Sequence, residues 1–424
     1  MKKKLLTIII IFLFIGLTVS PATIGIEIST KPLTQTEEIQ PVSSDTFFDI
    51  YIKTLMKICH KPSIAAAIIQ NDTIFWSKGY GYFDLENQKP TNEDILYLQA
   101  SISKTVTATA LMQLYEKGLF DLDDDINDYL PFEIRNPNHP EIPITIKMVL
   151  SHRSSLADDN LYWVALSYLP GDPDISDFPY PWLKEYLTPG GTGYSSTTWS
   201  DSKPGEEFNY ANIGFSIIAY LVELLSNQSF NEYCKKNIFE PLHMYNSSYR
   251  LRDHNISNIA VPYEYKNRGY FRHPHYGIPL QYPAASLRTS IEELSHFIIA
   301  HMNGGVWKDV RILNESIVDI MHTAHFSPED EYNYGLGWVL YNPKVGKKEY
   351  GHGGGLVGVL NVVTIIPDED IAVILFSNEL DSELANTRLE WWAFNAINRA
   401  LFWKANQHIK YCPTHLIFLL EKYF

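Results

Sequence analysis

The chain has 424 residues, 45% hydrophobic and 20% charged, which is enough apolar content to bury a large core and argues against a disordered chain. Its formal net charge of −15, with no long basic run, lacks the electrostatic footprint of a nucleic-acid binder. Composition does not shift sharply between about residues 27 and 400, so a single large domain is expected there, in one lobe or two.

Residues 1–26 open with Lys2, Lys3 and Lys4, an apolar run from Leu5 to Val19 and the small-residue site Ser20-Pro21-Ala22. This is a secretory signal pattern, and the apolar run is shorter than the roughly 20 residues of a spanning helix. Export to an extracytoplasmic location is therefore expected, with the segment either cleaved or kept as a membrane anchor. Residues 27–44 are polar, rich in Thr and Ser, and read as a linker. The main domain is placed at 45–400. Within it, Thr46 to Cys59 looks helical, and Ser63–Ile69 and Thr73–Gly81, split by Asn71-Asp72, read as a hairpin. A buried helix is predicted from Ile102, with Val106, Ala110 and Leu114 along one side and Gly118 at its end. Helical, polar and aromatic segments alternate to about residue 325, and strands return at Gly335–Leu340, Val357–Ile366 and Ile371–Ser377. Strands at both ends of the sequence predict an α+β fold: an antiparallel sheet flanked by helices, with a mostly α-helical lobe inserted. From Leu401 to Phe424 the chain is an amphipathic tail, too short in its apolar part to span a bilayer. Cys59, Cys234 and Cys412 are too few for a disulfide scaffold, although one pair could form.

Three segments carry chemistry. Lys104 follows Ser101 by three positions at the head of the predicted helix, so both side chains share a face near unpaired N–H groups. A lysine partly buried there would have a lowered pKa and could take up and return a proton. Ser200 and Lys203 have the same spacing, but Pro204-Gly205 argues against a helix. Tyr210-Ala211-Asn212 precedes an apolar helix; Tyr210 is a candidate base and Asn212 a candidate amide contact or a helix cap. Tyr265-Lys266-Asn267 matches too, but leads into a turn at Arg268-Gly269. The third segment, Tyr350 to Gly358, is rich in glycine and either lets a substrate backbone lie close or serves only as a glycine-rich turn, with His352 a substrate contact or a surface residue. Its glycines also fit a dinucleotide fingerprint, which is rejected because a strand, not a helix, follows.

Together Ser101-x-x-Lys104, Tyr210-x-Asn212 and His352-Gly353-Gly354 resemble, in order, the three motifs of the β-lactamase and penicillin-binding-protein superfamily. The middle motif resembles that of the class C branch, and the likeness runs from about residue 45 to 400, through LSHRSSL at 150–156 and YGLGW at 334–338. The resemblance implies a cleft between sheet and helical lobe and hydrolysis through an acyl-enzyme, with no metal or other cofactor. It also implies Ser101 as nucleophile, Lys104 as its proton partner, Tyr210 as general base and Asn212 as an amide contact. Gly355 would supply an oxyanion N–H beside that of Ser101, with His352 and Gly354 among the substrate-binding residues. Two departures bear on substrate. His352 stands where class C β-lactamases have lysine, which resembles the esterase and D-aminopeptidase members more closely. Ser155 and Ala285-Ser286 stand where glycines are usual. The expected substrate is a small molecule or peptide with an ester or amide bond. A β-lactamase or D,D-carboxypeptidase is the alternative, and a non-catalytic sensor a third reading. The aromatic stretch 158–202 reads equally as a lid or as a packed subdomain.

Overall fold

The computed structural model describes residues 44–158, 169–171, 181–326, 333–341, 348–380 and 388–405. The chain divides into two compact units, Met1–Phe47 and Phe48–Phe424. Of the first, only the opening turn of a helix is described, so the expected signal segment and linker lie outside the described residues.

That helix, α1 (Ser44–Ile58), leads into strands β1 (Ser63–Gln70), β2 (Thr73–Asp84) and β3 (Lys89–Pro90). Helix α2 (Ser103–Glu116) and helix α3 (Asn212–Ser226) belong to the helical layer, followed by α4 (Ile291–Met302). Strands β4 (Asn333–Tyr334), β5 (Val339–Tyr341), β6 (Glu349–Leu356), β7 (Val359–Ile366) and β8 (Ile371–Ser377) follow, then helix α5 (Arg388–Ala405). The strands form one sheet in the order β4-β5-β6-β7-β8-β1-β2-β3, each pairing antiparallel. Strand β1 sits between β8 and β2, so the two ends of the domain close one sheet, as the sequence pattern predicts.

Strands β7 and β8 are buried along their whole length and β1 along all but its last residue, because helices cover both faces of the sheet. Their continuous apolar runs conceal a two-residue alternation. Ile64, Ala66, Ile68, Val373 and Leu375 face Ile52, Leu55 and Met56 of α1 and Phe394, Ile397 and Leu401 of α5. Ala65, Ala67, Ile69, Ile374 and Phe376 face the helical layer, which holds Leu294, Phe297 and Ile298 of α4. The tail expected from Leu401 therefore begins as the last turn of α5, packed on the sheet; residues 406–424 lie outside the described residues.

Helix α2 is buried on all sides from Ser103 to Leu114, despite four β-branched residues in its first seven. Burial satisfies its hydroxyls internally: Thr105 and Thr109 donate to the carbonyls of Ile102 and Thr105, each at 2.8 Å. Two expected strands differ. Gly335–Leu340 is broken by Gly337 at φ +81°, leaving the short β4 and β5. The strand expected from Val357 begins at Val359, after a turn at Val357-Gly358, and the glycine-rich segment before it, which also read as a turn, is itself strand β6. Cys59 and Cys234 are buried free thiols, and burial pushes Cys59 up to about 12.

The two chain ends are clamped by a buried ion pair. Lys61 Nζ donates to Glu379 Oε2 at 2.6 Å and to the Glu379 carbonyl at 2.7 Å, and Tyr265 N–H donates to Glu379 Oε1 at 3.2 Å. Removing one member strands a charge, whereas neutralising both does not. Lys61→Met is expected to lower unfolding stability in urea by about 3 kcal/mol. The double variant Lys61→Met/Glu379→Gln, which keeps an acceptor for Tyr265, is expected to recover most of that loss.

Candidate active site

Ser101 lies in the tight turn Ala100–Ile102, one residue before α2 begins. Ala100 has φ +49°, a left-handed conformation that costs a non-glycine residue about 1–2 kcal/mol. The strain is held from both sides: Gln99 N–H donates to the Leu287 carbonyl at 2.7 Å, and strand β6 lies directly against the turn. At Gly354 a Cβ would sit 2.2 Å from the Gln99 carbonyl oxygen and 3.2 Å from Ser101 N, so only glycine allows this approach.

Lys104 is completely buried and makes three hydrogen bonds, one for each ammonium proton. Its Nζ donates to Ser101 Oγ at 3.0 Å, Asn212 Oδ1 at 2.6 Å and the Ala284 carbonyl at 3.2 Å. Burial pulls its pKa down to about 7, against the pull of Asp158 in the other direction. Asn212 is the first residue of α3 rather than its cap. The capping role falls to Asp158, 54 residues earlier, whose carboxylate accepts from the N–H groups of Asn212 at 2.6 Å and Ile213 at 3.3 Å. Asp158 itself is pushed up by burial, an effect that these N–H groups and Lys104 oppose.

Tyr210 presents its ring to the same ammonium, with Lys104 Nζ 4.9 Å from the ring centroid. The other face of the tyrosine environment is His152, whose ring centroid lies 4.2 Å away. His152 has φ +57°; its Nδ1 accepts from Ala211 N–H at 3.2 Å and its carbonyl from Asn209 N–H at 2.8 Å, which fixes the chain on either side of Tyr210. Beyond them, Tyr334 packs edge-on against His152 at 4.7 Å and its hydroxyl meets His352 Nε2 at 2.9 Å. His352 Nδ1 sits 2.6 Å from the Gly353 carbonyl, so Nδ1 carries the proton and Nε2 accepts from Tyr334. Burial, with Lys104 nearby, pulls His352 down to about 3 and His152 well below the usual imidazole value. Both rings are neutral at physiological pH.

Strand β6 pairs with β5 only from Glu349 to Gly351, and with β7 from Tyr350 to Leu356. Among the described residues, the stretch from His352 to Leu356 therefore has one unpaired edge beside the Ser101 turn. Gly355 belongs to that stretch.

The structure brings Ser101, Lys104, Tyr210, Asn212, Gly354 and Gly355 to one place. His352 is there too, but inside the wall, with both ring nitrogens engaged by the protein. The competing matches fall elsewhere: Lys203 is exposed and pairs with Glu206, and Asn267-Arg268 forms a hairpin turn with positive φ at both residues. His152 and Tyr334 fall within the LSHRSSL and YGLGW segments that carry the resemblance, but the sequence assigned neither a role; Asp158, which reaches Asn212 across 54 residues, and Ala284, which acts through its backbone carbonyl, were given none either. Of the aromatic stretch, Tyr186 and Trp199 are buried in the core, and Trp199 Nε1–H donates to the Leu187 carbonyl at 3.3 Å, as a packed subdomain requires. Tyr162, Trp163 and Tyr168 lie outside the described residues. Ser155 sits at φ +60°, where glycine is favoured; the hydrogen bond its hydroxyl accepts from Asn136 at 2.9 Å offsets much of that cost. Ser286, at φ −102°, has no need of glycine.

Gly354→Ala is expected to destabilise the protein by about 1–3 kcal/mol, since backbone must move to admit the methyl group. The same change at Gly269, where nothing lies within 4 Å, is expected to cost under about 0.5 kcal/mol; paired denaturation curves make the comparison.

Against known proteins, the Beta-lactamase family model matches residues 48–395. Protein flp of Staphylococcus aureus (strain N315) is 25% identical over 328 residues, covering 76% of this chain and 61% of its own length, so the chain spans about three fifths of that relative. The octameric penicillin-binding protein homologue from Pyrococcus abyssi has a TM-score of 0.67 at 24% identity, over 90% of this chain and 81% of its own. D-amino acid amidase from Ochrobactrum anthropi SV3, solved with L-phenylalanine amide, has a TM-score of 0.66 at 19% identity, over 86% of this chain and all of its own. The sheet with its helical layer is thus the fold shared with these proteins, and the chain belongs to the Beta-lactamase family, a family of serine hydrolases.

Proposed function

We propose that the protein is an exported serine hydrolase that cleaves an ester or amide bond through an acyl-enzyme on Ser101. The observation that carries this reading is a lysine with its pKa pulled to about 7, its Nζ 3.0 Å from the Ser101 hydroxyl. Lys104 in its neutral form has a lone pair for the Ser101 proton, and Oγ then attacks the substrate carbonyl carbon. The oxyanion is received by the N–H groups of Ser101 and Gly355, on the turn and the unpaired edge of β6. Tyr210, held between Lys104 and His152, passes a proton to the leaving group. Water then attacks the acyl-enzyme with the same groups acting in reverse. Asn212 orients the substrate amide or ester and, through its side-chain oxygen, Lys104.

His352 supports the choice of substrate. Neutral, buried and hydrogen-bonded at both nitrogens, it gives β6 no positive charge with which to hold a carboxylate. An ester or uncharged amide suits that wall better than a β-lactam or a peptide with a free C-terminus. Export rests on the lysines and apolar run of residues 1–22.

Purified wild type and Ser101→Ala are to be compared on a fluorophosphonate probe, a nitrophenyl ester, a D-amino acid amide and a chromogenic cephalosporin. Ser101→Ala is expected to lose labelling and to lower turnover by at least about 10³-fold, with ester or amide favoured over cephalosporin. Retained labelling would sink the assignment of Ser101, and a preference for cephalosporin would favour the β-lactamase reading.

Because neutral Lys104 is the reactive form, turnover is expected to rise as pH passes upward through about 7. Asp158 raises the lysine pKa, so Asp158→Asn is expected to move that acid limb to lower pH. A pH profile of kcat/KM with the ester checks the direction.

A further inference from the structure

Helices α1 and α5 lie antiparallel and side by side on the outer face of the sheet. At one end of the pair His60 Nδ1, just past α1, meets Glu390 Oε1 at 2.8 Å; at the other, Lys404 Nζ lies 4.8 Å from the ring centroid of Phe48. Between them, nearer the Phe48 end, Arg399 is close enough to influence Tyr51. One register accounts for all three contacts. The inner stripes of both helices pack on β1 and β8, which leaves their outer stripes as one continuous two-helix surface.

That surface has an unusual composition for a protein of net charge −15. On α1 it presents Ile50, Lys53 and Lys57, at helical spacing and exposed. On α5 it presents Trp392, Arg399 and Trp403, seven and eleven positions apart on one face, with the tryptophans 37% and 47% exposed. The nearby acids are already paired: Asp49 accepts from Lys78 at 2.6 Å and from Tyr80 at 2.8 Å, and Glu390 is held by His60. Tryptophan interleaved with lysine and arginine on one helical face is the composition of helices that lie in a bilayer interface. Among the described residues no single helix is long and apolar enough to cross a membrane, so the contact would lie along the surface.

The sequence on either side has the same character. Ahead of α1 the sequence carries Lys2, Lys3, Lys4 and the apolar run Leu5–Val19, and beyond α5 it runs through nine residues to HLIFLLEKYF at 415–424. Because the helices are antiparallel, the N-terminus of α1 and the C-terminus of α5 lie at the same end of the pair. We propose that the outer face of α1 and α5 rests on an anionic lipid bilayer, with Trp392 and Trp403 at headgroup depth and Lys53, Lys57 and Arg399 on the lipid phosphates. This places the domain with its helical layer turned away from the membrane.

The test uses the full chain carrying Cys412→Ser, with Trp392→Cys or Trp403→Cys labelled by bimane; Cys59 and Cys234 are buried. A label at Tyr245→Cys, on the helical layer and 69% exposed, is the reference. Each protein is mixed with vesicles of phosphatidylcholine alone or with one third phosphatidylglycerol, both containing a headgroup nitroxide lipid. Labels at 392 and 403 are expected to be quenched at least about twofold on the anionic vesicles only, and less as salt is raised. Adding Lys53→Glu and Lys57→Glu is expected to remove the quenching, with the unfolding midpoint unchanged. The proposal is overturned if 392 and 403 are quenched no more than 245. That result covers attachment through the N-terminal segment alone, and equally a face covered by residues 406–424 or by a second copy.

Discussion

Everything around the candidate site depends on one desolvated cation. Lys104 has no contact with water, so its charge is tolerable only if three acceptors meet its three protons, and they come from three separate parts of the chain: the Ser101 turn, the head of α3 and the carbonyl of Ala284. The same desolvation brings its pKa near neutrality, which allows a structural ammonium to act as a base. Asp158 moderates the effect from the N-terminus of α3, where its charge also answers the helix dipole. Catalytic potential and packing cost are thus two aspects of one burial.

The second constraint is the close approach of β6 to the Ser101 turn. Ala100 in a left-handed conformation aims the serine, and the missing side chain at Gly354 lets the strand backbone reach it. The position of β6 is set by the central strands, which are buried on both faces and closed at the chain ends by Lys61 and Glu379. Loosening that clamp would be felt at Ser101, because the path from β1 through β8 and β7 to β6 is continuous hydrogen-bonded sheet. Behind the site, His152, Tyr334 and His352 form a neutral aromatic wall that leaves Lys104 as the titrating group.

Much of this was legible in the residues. The hairpin at Ser63–Gly81, the buried helix after Ile102 and the strand Ile371–Ser377 follow from local periodicity, which the fold obeys because those segments bury one face or both. The two decoys, Ser200–Lys203 and Tyr265–Asn267, were separable by the turn residues beside them. Other features were hidden. A glycine-rich stretch reads as a turn because glycine has poor strand propensity, yet β6 is a strand because backbone approach outweighs propensity there. His352 reads as an exposed or substrate-facing residue until its two hydrogen bonds place it in the interior.

The sequence by itself determined which reactive groups are available and in what order: Ser101 with Lys104 at helical spacing, Tyr210 with Asn212, and the glycines of β6. These are local patterns, and local spacing is enough to recognise them. Only the tertiary structure decided their chemistry. The pKa of Lys104, the neutrality of His352, the capping of α3 by Asp158 and the pairing of α1 with α5 all arise between residues tens to hundreds of positions apart. Burial and Coulomb interaction depend on distance in space, which no single segment of the sequence encodes.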